Sequence, residues 1–309
     1  MSRPLRILDL SAVYLTTVRC MQGRLFLCPS TETYEVLGGV LARAVRLHGV
    51  ELFSFNFASN HLHLIVRAPR GNLPHFMQYL LSNISKKVGA LVNWRGSFWE
   101  RRYSAQPILD DAALLAKVGY VLAHGVKEGL VRRCSEWPGL SALPVMRDGQ
   151  PRTFRWWNWT RRCRSAAPAK RAPLLDKRWA EAEELRLTHL PLLGFDRLSV
   201  IRAFLQECVR AIEQEGRRAH RTVMGIARLC AQRPLHRPSR PERSPAPWCH
   251  TTIPRLRAEY MDGYRSFDAV YRPASVAWRR GDLTATFPAG AVRPFLWPIA
   301  IQPRLADAA

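Results

Sequence analysis

The chain has 309 residues, 47% of them apolar, and 47 Lys+Arg against 24 Asp+Glu give a formal net charge of +23. That apolar share excludes a disordered basic tail, and the length allows a real core and two domains. The charge points to a polyanion, meaning DNA, RNA or an anionic membrane surface, yet no apolar run approaches the ~20 residues of a spanning helix.

The start, Met1-Ser2-Arg3-Pro4-Leu5-Arg6, carries charge without the apolar block of a secretory signal. Residues 12–19, Ala-Val-Tyr-Leu-Thr-Thr-Val-Arg, are β-branched and aromatic and predict a first strand. A helix follows from Thr31, with Leu37, Val40, Leu41, Ala44, Val45 and Leu47 at helical spacing. Leu52 to Phe57 alternates as a second strand, and Asn60 marks a tight turn into a third over 61–67. Pro74 opens a second helix whose apolar face carries Phe76, Tyr79, Leu80, Ile84, Val88 and Leu91. A short strand near 103–108 leads to Asp110 and Asp111, which cap a third helix with Leu114, Val118, Val121 and Leu122. The order β-α-β-β-α-β plus a helix predicts an α+β fold of the split βαβ, ferredoxin-like kind, with an antiparallel sheet. One sheet face is left open, and the last helix can lie across it.

Composition shifts near residue 150. Arg152, Arg155, Arg161, Arg162, Arg164, Lys170 and Arg171 occur without an acid, interleaved with Trp156, Trp157 and Trp159. Such a segment suits single-strand binding by stacking and phosphate contact, and equally a basic linker whose tryptophans pack. Apolar periodicity over Leu198, Ile201, Phe204, Leu205, Cys208, Val209 and Ile212 predicts a long helix. Helices at about 198–215 and 219–232 have the order of a helix-turn-helix, without a distinctive turn. A proline-rich break from Pro234 to Pro247 precedes a core stripe of Tyr260, Tyr264, Phe267 and Tyr271. The expected organisation is a catalytic domain over 1–150, a basic Arg/Trp linker over 151–195, and a mainly helical basic extension over 196–309. Seven dispersed cysteines without a CxxC pair predict reduced thiols in a cytoplasmic protein.

The chemistry concentrates in four residues. On a strand, His61 and His63 point to one face about 7 Å apart. On a helix, Tyr120 and His124 are stacked one turn apart. If that helix crosses the sheet, three imidazoles and a phenol converge. Neutral imidazoles can hold a divalent cation with positions left open, and a phenol is a nucleophile that conserves bond energy in a phosphotyrosine. Neither pair is specific alone.

Ala58-Ser59-Asn60-His61-Leu62-His63-Leu64-Ile65-Val66 resembles the histidine–hydrophobic–histidine (HUH) motif of single-tyrosine transposases. Gly96-Ser97-Phe98-Trp99-Glu100-Arg101-Arg102-Tyr103 resembles the Gly-x-Leu-Trp-Gln-x-Arg-Tyr stretch of REP-associated tyrosine transposases. Tyr120-Val121-Leu122-Ala123-His124-Gly125-Val126-Lys127-Glu128-Gly129-Leu130-Val131 resembles their Tyr-Ile-x-x-Asn-Pro-Val-Lys-x-Gly-Leu-Val helix end, and Ser135-Glu136-Trp137-Pro138 follows in place.

The resemblance covers roughly residues 10–145. It implies a ferredoxin-like endonuclease and strand transferase acting on single-stranded or hairpin DNA with Mg²⁺ or Mn²⁺, in a bacterial cytoplasm at the nucleoid. It makes Tyr120 the nucleophile and His61, His63 and His124 the metal ligands. His124-Gly125 replaces Asn-Pro, which keeps a ligand but removes a helix-end proline. Tyr79 and Tyr103 are rival phenols outside the motif. Arg101, Arg102, Lys127, Arg155, Trp156, Trp157, Trp159, Arg161 and Arg162 are candidate DNA contacts. Relatives occur as monomers and homodimers. The competing expectations are a domesticated, catalytically inactive nucleic-acid-binding protein, and a replication or mobilisation nuclease, for which no phosphate loop is seen.

Overall fold

The computed structural model describes residues 5–164, 173–192, 194–238 and 247–294. Leu10–Pro254 form one compact unit, and Met1–Asp9 with Arg255–Ala309 form another. In the first unit, β1 (Val13–Arg19), α1 (Thr31–His48), β2 (Glu51–Phe57), β3 (His61–Arg67), α2 (Leu73–Leu91), β4 (Ser104–Ile108) and α3 (Asp111–Lys127) follow the predicted order. The sheet order is β2-β3-β1-β4, every pairing antiparallel. This is the α+β, split βαβ arrangement.

Local chemistry sets the element ends. Ser30 caps α1 by accepting the Thr33 N–H at 3.1 Å, and Gly49 ends it at φ +59°, where a side chain would be strained. Asp110 caps α3 by accepting the Ala113 N–H at 2.7 Å. Right-handed crossovers place α1 and α2 on the same sheet face, where they pack on one another. Leu62, Leu64, Val66 and Phe55 point to that face and are fully buried.

The opposite face is the one crossed by α3. It carries Thr17, Ser54, Asn56, His61 and His63, brought side by side by the register Thr17↔His63 and Asn56↔His63. Two faces of one sheet thus differ in chemistry. One is a hydrocarbon core, and the other is a polar stripe under a helix.

Both edges of this sheet are occupied. Beside β2, Phe57 N–H donates to Leu140 O and Ala142 N–H to Phe55 O, each at 2.9 Å. Beside β4, His250 N–H donates to Pro107 O at 2.8 Å and Leu109 N–H to His250 O at 2.9 Å. A covered edge offers no template for a foreign strand.

After a short helix α4 (Leu143–Asp148), the segment expected as a linker holds a hairpin of β5 (Arg152–Trp157) and β6 (Ala180–Leu185), with α5 (Trp159–Arg164) between them. The hairpin packs on α1. Phe154, Trp156 and Trp157 are buried, and Arg43 pairs with Glu181 at 2.8 Å and Glu183 at 2.7 Å. Trp156 lies between two cations, 5.0 Å from the Arg43 guanidinium and 4.2 Å from Lys87 Nζ.

Close approach requires glycine here. A Cβ at Gly39 would lie 2.0 Å from the Arg155 carbonyl oxygen, which belongs to the backbone and cannot swing away. Alanine elsewhere in a helix gains about 0.5–1 kcal/mol over glycine. Overpacking costs about 1–3 kcal/mol and wins at this position. Gly39→Ala is expected to destabilise the protein by roughly 2 kcal/mol. A lowered urea midpoint with unchanged slope would show this, and a midpoint equal to or above wild type would refute the docking argument.

The helix expected from Leu198 is α6 (Leu198–Ala219), and it covers the outer side of α3. A Cβ at Gly216 would sit 2.3 Å from Val126 Cγ1, and one at Gly119 would sit 3.0 Å from Cys208 Sγ. The expected helix-turn-helix is not formed. After α6 the chain is irregular, Gly225 has φ +84°, and α7 spans only Ile226–Cys230. Five residues make less than two turns, too short for a recognition helix.

In the second unit, α8 (Pro254–Arg279) buries Tyr264 and Phe267, while Tyr260 and Tyr271 are half-buried. Tyr264 Oη accepts the Leu5 N–H at 2.7 Å. Lys170, Arg171 and residues 239–246 of the proline-rich break lie outside the described residues. No described helix is long and apolar enough to cross a membrane.

Candidate active site

The turn before β3 sets His61. Ala58 N–H donates to His61 O at 2.9 Å, and Cys20 N–H donates to Asn60 O at 2.7 Å, so the strand begins at a fixed point. His61 Nδ1 lies 2.6 Å from Asn60 Oδ1. A carboxamide oxygen only accepts, so Nδ1 carries the proton and Nε2 keeps its lone pair. His63 Nδ1 lies 2.8 Å from Thr17 Oγ1 on the neighbouring strand. Both rings are thus oriented from behind by a polar side chain.

The helix α3 brings the other two groups. Lys117, Tyr120, His124 and Lys127 recur at spacings of three and four and share one face. Ring centroids of His61 and His124 are 4.5 Å apart, those of His61 and His63 4.8 Å, and those of His63 and His124 5.2 Å. Tyr120 closes the set at 5.4 Å from His63 and 6.4 Å from His124. The structure brings all four sequence-predicted groups together from one chain.

Burial decides their charge. It holds the His61 imidazole well below its ordinary value, helped by His124, His63 and Arg19. It lowers His63 to about 3, with His124 and Lys117 contributing, and His124 to about 4, with Lys127 contributing. All three are neutral at pH 7 and present lone pairs. The Tyr120 phenol is pushed up by burial and by Glu128, despite Lys117 Nζ at 5.4 Å and Lys127 Nζ at 5.0 Å from its ring centre. At rest it is protonated.

The donor set fits a divalent cation. One nitrogen from each of the three imidazoles lies within 4.8 Å of the others. His63 Nε2 and His124 Nδ1 are buried without a hydrogen-bond partner. A buried polar nitrogen without a partner costs stability, and two in one cluster are compatible with a ligand set. His61, His63 and His124 would hold the ion.

The burial has a consequence for acid stability. Each folded-state pKa lies below the unfolded value of about 6.5, so between the two the unfolded chain binds more protons. Stability is therefore complete above pH 6.5 and is lost as pH falls toward about 4. Without divalent ions, the urea midpoint should drop over that window, by a few kcal/mol equivalent. His124→Gln should flatten the dependence, and an equally steep profile in that variant would contradict the assignment.

The substitution of Gly125 for proline does not disturb the helix end. Leu130 N–H and Val131 N–H donate to Gly125 O at 2.9 and 3.1 Å, and Gly129 turns the chain at φ +64°. A Cβ at 125 would lie 2.8 Å from the Trp137 ring, so the indole occupies the space a larger residue would need.

The rival phenols stand elsewhere. Tyr79 is on α2 beside Trp156, and Tyr103 is buried just before β4. Of the expected DNA contacts, Lys127 is exposed beside Tyr120, and Arg101 and Arg102 are exposed before β4. Arg155, Trp156, Trp157, Trp159, Arg161 and Arg162 belong to the β5–α5 segment; β5 packs on α1, on the sheet face away from the cup. Trp156 and Trp157 are buried, which takes both rings out of the expected stacking surface, while Trp159 is half-buried with Lys87 Nζ 4.5 Å from its ring. Period 2 accounts for Trp156, which shares the buried face of β5 with Phe154 while Thr153 and Arg155 are exposed; Trp157 falls on the other face of the strand and is buried as well. Three positions escaped the sequence reading. Lys117 had a visible signal, one turn before Tyr120; Asn60 was read only as a turn; Thr17 reaches His63 only through strand register.

Residues 11–121 match the family described as Transposase IS200 like. No curated protein matches the chain. Among similar solved structures is a REP-associated tyrosine transposase bound to a REP hairpin, 20% identical, with a TM-score of 0.42, covering 59% of this chain and 98% of that one. Another is a Deinococcus radiodurans R1 protein assigned as a transposase, 16% identical, with a TM-score of 0.29, covering 39% of this chain and 94% of that one.

Proposed function

We propose that the protein, whose residues 11–121 match the IS200-like transposase family, cuts single-stranded or hairpin DNA through a covalent phosphotyrosine at Tyr120. The observation that carries this reading is the convergence of three neutral imidazoles on one tyrosine within a single chain. In the reaction, Tyr120 Oη attacks a backbone phosphorus. A P–O bond to Tyr120 forms, the P–O bond to the departing sugar breaks, and the phenol proton is balanced by one gained at the sugar oxygen.

Each residue has a stated part. Asn60 and Thr17 orient His61 and His63, which with His124 would hold the cation. When bound, Mg²⁺ or Mn²⁺ supplies charge withdrawal from a non-bridging phosphate oxygen. Lys117 and Lys127 flank the phenol and offset phosphate charge where it concentrates. The covalent link conserves the energy of the broken ester, so that the strand can be rejoined.

The test is a pool of single-stranded and hairpin oligonucleotides with Mn²⁺, scored for a protein–DNA adduct that survives denaturant. Lack of any adduct across the pool would sink the proposal. The alternative, binding without cleavage, drew on the replaced Asn-Pro pair. His124 lies in the cup and the helix end is intact, so the replaced pair does not by itself favour that alternative.

A further inference from the structure

We infer that residues 220–238, in the part of the chain to which the resemblance assigns no role, form an arginine arm on the rim of the histidine–tyrosine cup that binds the DNA strand beside the site of cutting. This rests on the reading of the cup as a DNA-cutting site.

The arm is pinned at both ends of that cup. Near the end of α3, His220 Nε2 lies 2.7 Å from Lys127 O. Met224 N–H donates to Gly129 O at 3.0 Å and Gly225 N–H to Leu130 O at 2.9 Å. Near the start of β3, Ser59 Oγ–H donates to Gln232 Oε1 at 2.6 Å, and Arg24 donates to Leu235 O. Leu229, between the two anchor points, is fully buried and seats the arm. Ser59 is two residues before His61, and Gly129 is five after His124. Those two rings are 4.5 Å apart, so a chain tied to both neighbourhoods borders the site.

Charge supplies the second observation. From Arg217 to Pro238 the sequence has six arginines and no Asp or Glu. Arg217, Arg218, Arg221, Arg228, Arg233 and Arg237 are all exposed, and none forms an ion pair with a described acid. In α8, by contrast, three of five arginines, Arg255, Arg265 and Arg272, are each paired to an acid on their own helix. Unpaired guanidiniums on a backbone fixed from both ends are a preorganised surface for phosphates. A strand entering the cup from this side would meet them before reaching Tyr120.

The experiment uses the full chain and a single-stranded oligonucleotide, followed by anisotropy across a salt series. Arg228→Gln, Arg233→Gln and Arg237→Gln together leave every anchor contact in place. With a slope of roughly −0.7 per neutralised phosphate, losing three contacts should flatten the salt dependence by about 2. A control removing equal charge from α8 and the residue after it, Arg257→Gln, Arg279→Gln and Arg280→Gln, should keep the wild-type slope. The corresponding arginine-to-lysine arm variant should restore it. If both glutamine triples flatten the slope equally, or neither does, the arm is only solvated surface and the inference is overturned. The covalent adduct is scored separately: arm-dependent binding without an adduct keeps the arm and removes the chemistry, whereas an adduct with arm-independent binding does the reverse.

Discussion

Tyr120→Phe is expected to abolish the denaturant-resistant adduct, lowering cleavage by about 10³-fold or more, with DNA affinity within a factor of about three of wild type. The substitution is narrow. Phenylalanine keeps the ring that packs 5.4 Å from His63 and that lies under the Lys117 and Lys127 ammonium groups. Only Oη is lost, so fold, cup and cation site remain. Because the phenol is protonated at rest, attack requires it to lose a proton. Cleavage should therefore rise with pH through the neutral range, and the phenylalanine variant should show no such rise. An equal adduct yield in the two proteins would place the nucleophile elsewhere, with Tyr103 the next phenol to replace.

Alanine at His63 or His124 is the second large effect. Each ring contributes a buried nitrogen without a hydrogen-bond partner, the proposed ligand atom, and His63→Ala additionally removes the Nδ1 contact to Thr17 Oγ1. Affinity for Mn²⁺, read by calorimetry or by the ion's own spectroscopic signal, should fall on the order of 10²-fold. His124→Asn should fall less, because asparagine retains an oxygen donor at that helix position. The measurement does not depend on cleavage. Unchanged Mn²⁺ affinity in both alanine variants would show that the three histidines are a packed polar cluster and not a ligand set.

Much of this site was legible from spacing. Two residues apart on a strand and four apart on a helix each fix a shared face, and Asp110 announced where the helix begins. Their meeting followed from the order of elements, because a helix after the fourth strand has the polar sheet face left to cover. What spacing could not carry was contact across long separations. Arg152 to Trp157 alternates as a strand should, but its partner Glu181 to Glu184 lies beyond a long intervening segment, and the basic residues drew attention away from the period. The same limit hid the placement of α6. Its apolar stripe predicted a helix, but only the close approach of Gly216 to Val126 identifies α3 as its neighbour. Ser54 and Asn56 are the polar positions of an alternating strand, and both are buried on the sheet face that α3 crosses.

The position of α3 between the sheet and α6 bears on the fate of a cut strand. The helix is held on its inner side by the cup and on its outer side through Gly119 and Gly216, so Tyr120 has little room to swing. Under the proposed chemistry, a strand end joined to such a tyrosine would not diffuse. It remains at a high effective concentration beside any hydroxyl that enters the cup. Resealing and exchange with a new end then compete as first-order events, and the outcome is set by which hydroxyl arrives and how long it stays. A rigid mount for the proposed nucleophile would thus favour passing a strand from one end to another over releasing it.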